Sequence, residues 1–166
     1  MGQRFIVAAT CALLAALPIS APAQAPPARS FDAVAFFTGN TSGEGRLKKM
    51  FSTAQATRVT GRGRVEDGAL VLDQTVSIAG EPTRERQWRL RALAPGRWSG
   101  TLSDAKGPVV ASAAGMVLTI AYTSSDGMGI AQKVTLAPDG RSARNRMTVR
   151  KLGIAVATLD ETITRD

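Results

Sequence analysis

Histidine is absent from all 166 residues, cysteine occurs once, and aromatic side chains make up only 5% of the chain. The first two absences exclude whole chemistries. Without His and with a lone Cys there is no Cys/His zinc site, no histidine-ligated haem and no Ser-His-Asp triad, and no disulfide can form within the chain. Neither a metal nor a cofactor is expected. Acidic residues are also scarce: 13 Asp and Glu stand against 21 Lys and Arg, sixteen of them Arg, for a net charge of +8.

The N-terminus reads as a targeting segment. Met1 to Arg4 is positively charged, and Phe5 to Leu17 is an apolar run too short to span a bilayer comfortably. Pro18 and Ala21-Pro22-Ala23 follow, offering small residues where a signal peptidase reads. This pattern predicts a signal peptide over residues 1–23 with cleavage after Ala23, and a secreted, most simply periplasmic, product. Cys11 is preceded by Thr10 rather than a small residue and lies inside the apolar run, so lipid anchoring is not expected. Cleavage would remove the only thiol and Arg4, leaving a cationic mature chain of 143 residues, enough for one domain with a single core. In a periplasm the anions available to such a chain are lipid head groups, lipopolysaccharide phosphates and acidic proteins, and nucleic acid is not an expected partner.

Residues 24–30 (QAPPARS) read as a Pro/Ala-rich tether. Phe31 to Phe37 is apolar and predicts a short helix or turn that plugs or caps the domain, with Ser30 as its N-cap. After Gly39 turn signals recur at short spacing, among them Asp67-Gly68, Ala94-Pro95-Gly96, Asp126-Gly127, Asp139-Gly140 and Leu152-Gly153, and the runs between them alternate or are β-branched. Short turns make consecutive strands antiparallel neighbours. The expectation for residues 31–166 is therefore a single all-β domain, an up-and-down antiparallel barrel of about nine or ten strands, with a two-sheet sandwich as the alternative.

The segment RERQWRLRA, residues 84 to 92, packs four arginines around Trp88. On a strand they cannot form one patch: Arg84, Arg86, Trp88 and Leu90 share one face, whereas Arg89 and Arg91 take the other. The preceding strand carries Leu70, Leu72, Gln74, Val76 and Ile78 on a single face, and a hairpin through Ala79 to Pro82 sets Gln74 and Val76 against Arg86 and Trp88. Trp88 and Leu90 are predicted to face inward, with Arg86 near or inside the barrel. A buried guanidinium needs an acceptor, and Glu44, Asp104 and Glu161 are the candidate counter-ions.

Several of these residues carry a wider pattern. Phe36-Phe37-Thr38-Gly39, Gly43 and Gly45, Leu70-x-Leu72-Asp73, Arg86-x-Trp88, Gly100 with Asp104, Tyr122, Asn145-Arg146 and Lys151-Leu152-Gly153 follow one another in an order and spacing that resembles an uncharacterised, lipocalin-like (calycin-like) family of small bacterial envelope proteins often described as lipoproteins. The resemblance covers roughly Phe36 to Ile163. It implies a lipocalin-like barrel and an envelope location, and no established activity. The chain departs from that family where an acidic residue usually follows the Leu-Asp pair: Gln74 stands there, so an acid–arginine pair with Arg86 would be missing.

Three functional readings follow. In the first, the barrel binds a hydrophobic or amphipathic small molecule such as a lipid, with Arg86, Trp88, Gln74, Tyr122 and Asn145 as ligand-proximal residues. In the second, two outward rows, Arg144, Arg146 and Arg150 in one and Arg58, Arg62 and Arg64 in the other, dock the protein on an anionic membrane surface. In the third, a cofactor-free isomerase or cyclase works in the lumen through Arg86, Asp104, Tyr122 or Glu161; no catalytic motif supports it, and enzymatic activity is left open. Oligomeric state is left open.

Overall fold

A computed structural model describes residues 30–166. The predicted signal peptide, Cys11 and all but Ser30 of the tether lie outside the described residues.

Ten antiparallel strands follow one short helix: α1 (Ala33–Phe37), β1 (Gly39–Lys49), β2 (Gln55–Glu66), β3 (Ala69–Ile78), β4 (Arg84–Ala94), β5 (Arg97–Leu102), β6 (Val109–Ala114), β7 (Val117–Thr123), β8 (Gly129–Leu136), β9 (Ser142–Lys151) and β10 (Ile154–Arg165). Every strand pairs with its sequence neighbours, and β1 pairs with β10 from Thr41↔Arg165 to Lys49↔Ala157, which closes the barrel. Closure satisfies both edges of the sheet, which is why a meander with a cationic, unsegregated exterior needs no second sheet to cover it. The sandwich alternative is not the structure.

The turns dictate the strand order. Asp67-Gly68 and Leu152-Gly153 are two-residue hairpin loops in which both residues have positive φ, 49° and 73° in the first, 50° and 82° in the second. That geometry matches the twist of the flanking strands and is cheapest with Asn or Asp followed by Gly. The register shifts at Ala92/Ala94 and at Ala155/Ala157. Gly43-Glu44-Gly45 and Gly61-Arg62-Gly63 pair without a shift of register. Their glycines face inward, for reasons of space: a Cβ on Gly63 would overlap the Phe37 carbonyl oxygen.

That carbonyl belongs to the plug. Phe31, Phe36 and Phe37 are buried together, ring centroids 5.0 to 6.4 Å apart, across one end of the barrel. The Phe31 N–H donates to the Gly115 carbonyl at 2.7 Å, tying the segment to the β6–β7 turn. Asp32, not Ser30, caps α1: its carboxylate accepts from the N–H groups of Val34 (2.9 Å) and Ala35 (3.1 Å). The helix starts two residues later than expected because Phe31 is pulled extended into the core, which leaves Asp32 at the first position able to reach the free N–H groups.

Candidate functional site

With one end filled, the inward faces of the strands enclose a cavity of about 670 Å³ that opens at the other end, between the β1–β2, β3–β4 and β7–β8 loops. Phe37 forms part of its floor, and Leu72, Val76, Ile120, Met147 and Leu159 are among its apolar walls. This volume is in the range of small-molecule pockets.

Polar groups interrupt the apolar wall at two facing places. On β3 and β4, Gln74 lies directly across from Arg86, and its Oε1 accepts from Arg86 Nε at 2.9 Å and from Trp88 Nε1 at 2.7 Å. One amide oxygen thus orients both side chains. The Arg86 guanidinium also stands 5.4 Å from the Trp88 ring centroid, within cation–π range, and Trp88 meets Tyr122 edge-on at 5.5 Å. The register differs from expectation in one pair: an antiparallel ladder that sets Gln74 against Arg86 places Leu72, not Val76, against Trp88, and Val76 against Arg84.

No carboxylate comes within ion-pair distance of Arg86 among the described residues. Glu44 is on the exterior with Arg58 (2.8 Å), because even-numbered residues of β1 point outward. Asp104 sits near the mouth with a buried Oδ1 that has no partner. Glu161 is across the lumen.

That opposite wall is made by β8, β9 and β10. Glu161 is only 5% exposed; its Oε2 accepts from Asn145 Nδ2 at 3.0 Å, and the same Nδ2 donates to Gln132 Oε1 at 3.3 Å. Glu161 Oε1 and Asn145 Oδ1 are buried without a partner. Gly43 makes room for the carboxyl, since a Cβ there would overlap Glu161 Oε1. Burial raises the Glu161 carboxyl above its ordinary range, against the Asn145 hydrogen bond and the distant field of Arg86. Burial also raises the Tyr122 phenol, which lies between Arg86 and Gln132. A polar chain therefore crosses the lumen from Arg86 through Tyr122 and Gln132 to Asn145 and Glu161. Its first end has donors to spare and its last end has acceptors to spare.

All five expected lumen residues face the cavity. Gln74, Arg86, Trp88 and Tyr122 form one cluster, and Asn145 belongs to the facing one. Gln132 and Gly43 were missed. Gln132 has a sequence signal, a lone amide between Ile130 and Val134 on the inward face of an alternating strand; Gly43 has none until its partner across the closure is known.

Most of the outer-row arginines are locally compensated. Arg144 binds Asp160 through two hydrogen bonds of 2.9 and 2.6 Å, holding that carboxyl below its usual range, and Arg146 approaches the same carboxylate at 3.6 Å. Arg64 is paired with Glu66 and Asp73. Arg150 makes no ion pair among the described residues and stands at the open end.

The fold has solved relatives of low identity. An S-type phycobiliprotein lyase from Guillardia theta superposes with a TM-score of 0.62 at 8% identity, over 80% of this chain and 90% of the lyase. A protein of unknown function from the DUF3598 family of Nostoc punctiforme reaches 0.56 at 14% identity over 87% of this chain, which spans about half (53%) of that protein. At these identities the likeness is one of fold. The comparison with curated proteins finds no match. A family model does match, over residues 11–165 and hence through every strand of the barrel: the chain belongs to DUF3833, a family of proteins of unknown function.

Proposed function

We propose that this protein is a secreted carrier that holds one amphipathic molecule, its apolar tail in the lumen and its polar head at the Arg86 end of the polar chain. One observation carries this reading: a cavity of about 670 Å³, closed at one end, contains a half-buried guanidinium that is held by the neutral Gln74 and pairs with no carboxylate among the described residues. An anionic or strongly polar head group would supply the acceptor that this charge lacks. The unpartnered oxygens of Asn145 and Glu161 ask for the reverse, a hydroxyl or amine donor on the same ligand. The barrel fold shared with the lyase of Guillardia theta is compatible with a ligand in the lumen.

The test is titration with a long-chain fatty acid whose polyene tail is fluorescent, together with native mass spectrometry of protein purified from the cells that make it. Saturable binding is expected, weakened by about tenfold or more in Arg86→Gln, the loss of one charge-assisted hydrogen bond. An empty native protein that also ignores the fatty acid, or an Arg86→Gln variant that binds it as tightly, would defeat the proposal. Recovery of the native ligand in chemically unaltered form would count against the isomerase or cyclase alternative, in which Glu161, its carboxyl raised by burial, would be the candidate acid.

A further inference from the structure

The open end presents large apolar side chains to water. Phe51 is 99% exposed and Leu152 96%, with Ile154 and Met50 beside them at 63% and 42%. Phe51 lies in the β1–β2 loop and Leu152 in the β9–β10 turn; closure sets these loops side by side around β10, where the Met50 N–H donates to the Val156 carbonyl at 2.8 Å. Both tips are held in the left-handed backbone region, φ 61° for Phe51 and 50° for Leu152. A bulky side chain there is strained, and such strain clusters at sites where the side chain's position matters more than its cost. Neither side chain buries apolar surface within the domain.

In sequence, the charged residues flanking the two tips are all basic. Lys48, Lys49, Arg150 and Lys151 flank them, and neither residues 48–54 nor residues 150–154 include an acid. Lys49 reaches over the mouth to Glu81, while Arg150 and Lys151 make no ion pair among the described residues. Protruding apolar tips inside a basic collar match a bilayer with anionic head groups: the tips enter the acyl boundary and the collar meets the phosphates. We propose that the protein docks mouth first on an anionic phospholipid bilayer, inserting Phe51 and Leu152. This goes beyond the carrier reading and does not require a ligand in the lumen, although it would set the cavity mouth against a reservoir of amphipathic molecules.

The experiment is co-sedimentation of the protein, purified as its own cell matures it, with phosphatidylcholine vesicles and with vesicles that also contain phosphatidylglycerol. Binding is expected on the anionic vesicles and is expected to weaken with salt. The double variant Phe51→Asn with Leu152→Asn should lose about tenfold or more per side chain; because Asn accepts the left-handed region, this change relaxes the fold rather than breaking it. Arg150→Glu with Lys151→Glu should cost about fivefold or more for each charge. Leu93→Asn, an exposed site (65%) at the plugged end, should change nothing. The proposal is overturned if the double Asn variant binds as the wild type does, if Leu93→Asn weakens binding equally, or if the tips serve instead to join two copies, seen as a dimer that the double Asn variant abolishes without any vesicle binding. The fatty-acid titration is a separate measurement, so failure of either proposal leaves the other standing.

Discussion

The two ends of the barrel solve the same geometric problem with opposite chemistry. At the plugged end the β2–β3 hairpin turns through Asp67-Gly68, and at the open end the β9–β10 hairpin makes the same turn through Leu152-Gly153. Aspartate tolerates the left-handed region and likes water; leucine does neither. The plugged end buries its aromatics, Phe31 at 1% and Phe36 at 3% exposure, whereas the open end projects Phe51 into solvent. One end packs its aromatic rings inside the domain, and the other leaves one outside it. The contrast teaches that the large residues of an aromatic-poor chain are worth tracing individually, because only three of its four described phenylalanines serve the core.

The comparison is broken most severely from the closed end. Phe36→Ala removes a ring packed against Phe31 and Phe37 and leaves a void over the barrel floor. We expect a loss of about 3–5 kcal/mol, a large part of the stability of a domain this size, read as a shift of the denaturant midpoint at unchanged m-value. The matching truncation at the open end, Phe51→Ala, should leave the midpoint nearly where it was. Equal sensitivity at both ends would erase the distinction.

Much of this architecture was legible in the chain. Turn residues at short spacing left antiparallel pairing as the only connection, and the alternation of Arg86, Trp88 and Leu90 against Arg89 and Arg91 gave the inward face of β4. Closure was not legible residue by residue. The inward face of β1 reads Thr41, Gly43, Gly45, Leu47, a poor hydrophobic pattern, because Gly43 yields its space to Glu161 from the far end of the chain. The same long-range pairing hid the facing cluster: Asn145 and Glu161 meet only through the β9–β10 register, and Gln132 joins them from β8. A partner for Arg86 was sought among the carboxylates, whereas the neighbour directly opposite, Gln74, supplies the hydrogen bond. The plug's cap was misplaced for a local reason, since Ser30 and Asp32 are both good caps and only the burial of Phe31 chooses between them.

Between the ends, Glu161 gives a pH-dependent handle of intermediate size. Its folded carboxyl titrates above the ordinary range, so in strongly acidic solution both folded and unfolded chains hold the proton and burial costs nothing extra. As pH rises past about 4.3, the ordinary glutamate value, the unfolded chain ionises first, and stability falls until the folded group ionises too. Glu161→Gln removes this fall. The melting-temperature difference, variant minus wild type, should therefore widen from about pH 4 upward, while the opposite slope from outward carboxylates such as Asp160, lowered by Arg144, is common to both proteins. A difference that stays flat with pH would mean that Glu161 is ionised at ordinary cost, and the acceptor-rich wall would have to be redrawn.

The smallest effect is the most pointed test of the contrast between ends. Leu152→Asn exchanges a strained left-handed leucine for a residue that adopts this conformation readily, at a site where the leucine makes no use of its apolar surface within the domain. It should raise stability by about 1 kcal/mol, seen as a small upward shift in melting temperature. Asp67→Leu, the mirror-image change in the same turn at the plugged end, should lower stability by a similar amount. If both shifts are found, the chain retains at its open end a residue that its own fold would replace, and the reason for the leucine must lie in what that end touches. If Leu152→Asn is neutral or destabilising, the turn itself prefers leucine, and the exposed tip loses its claim to be anything but part of the hairpin.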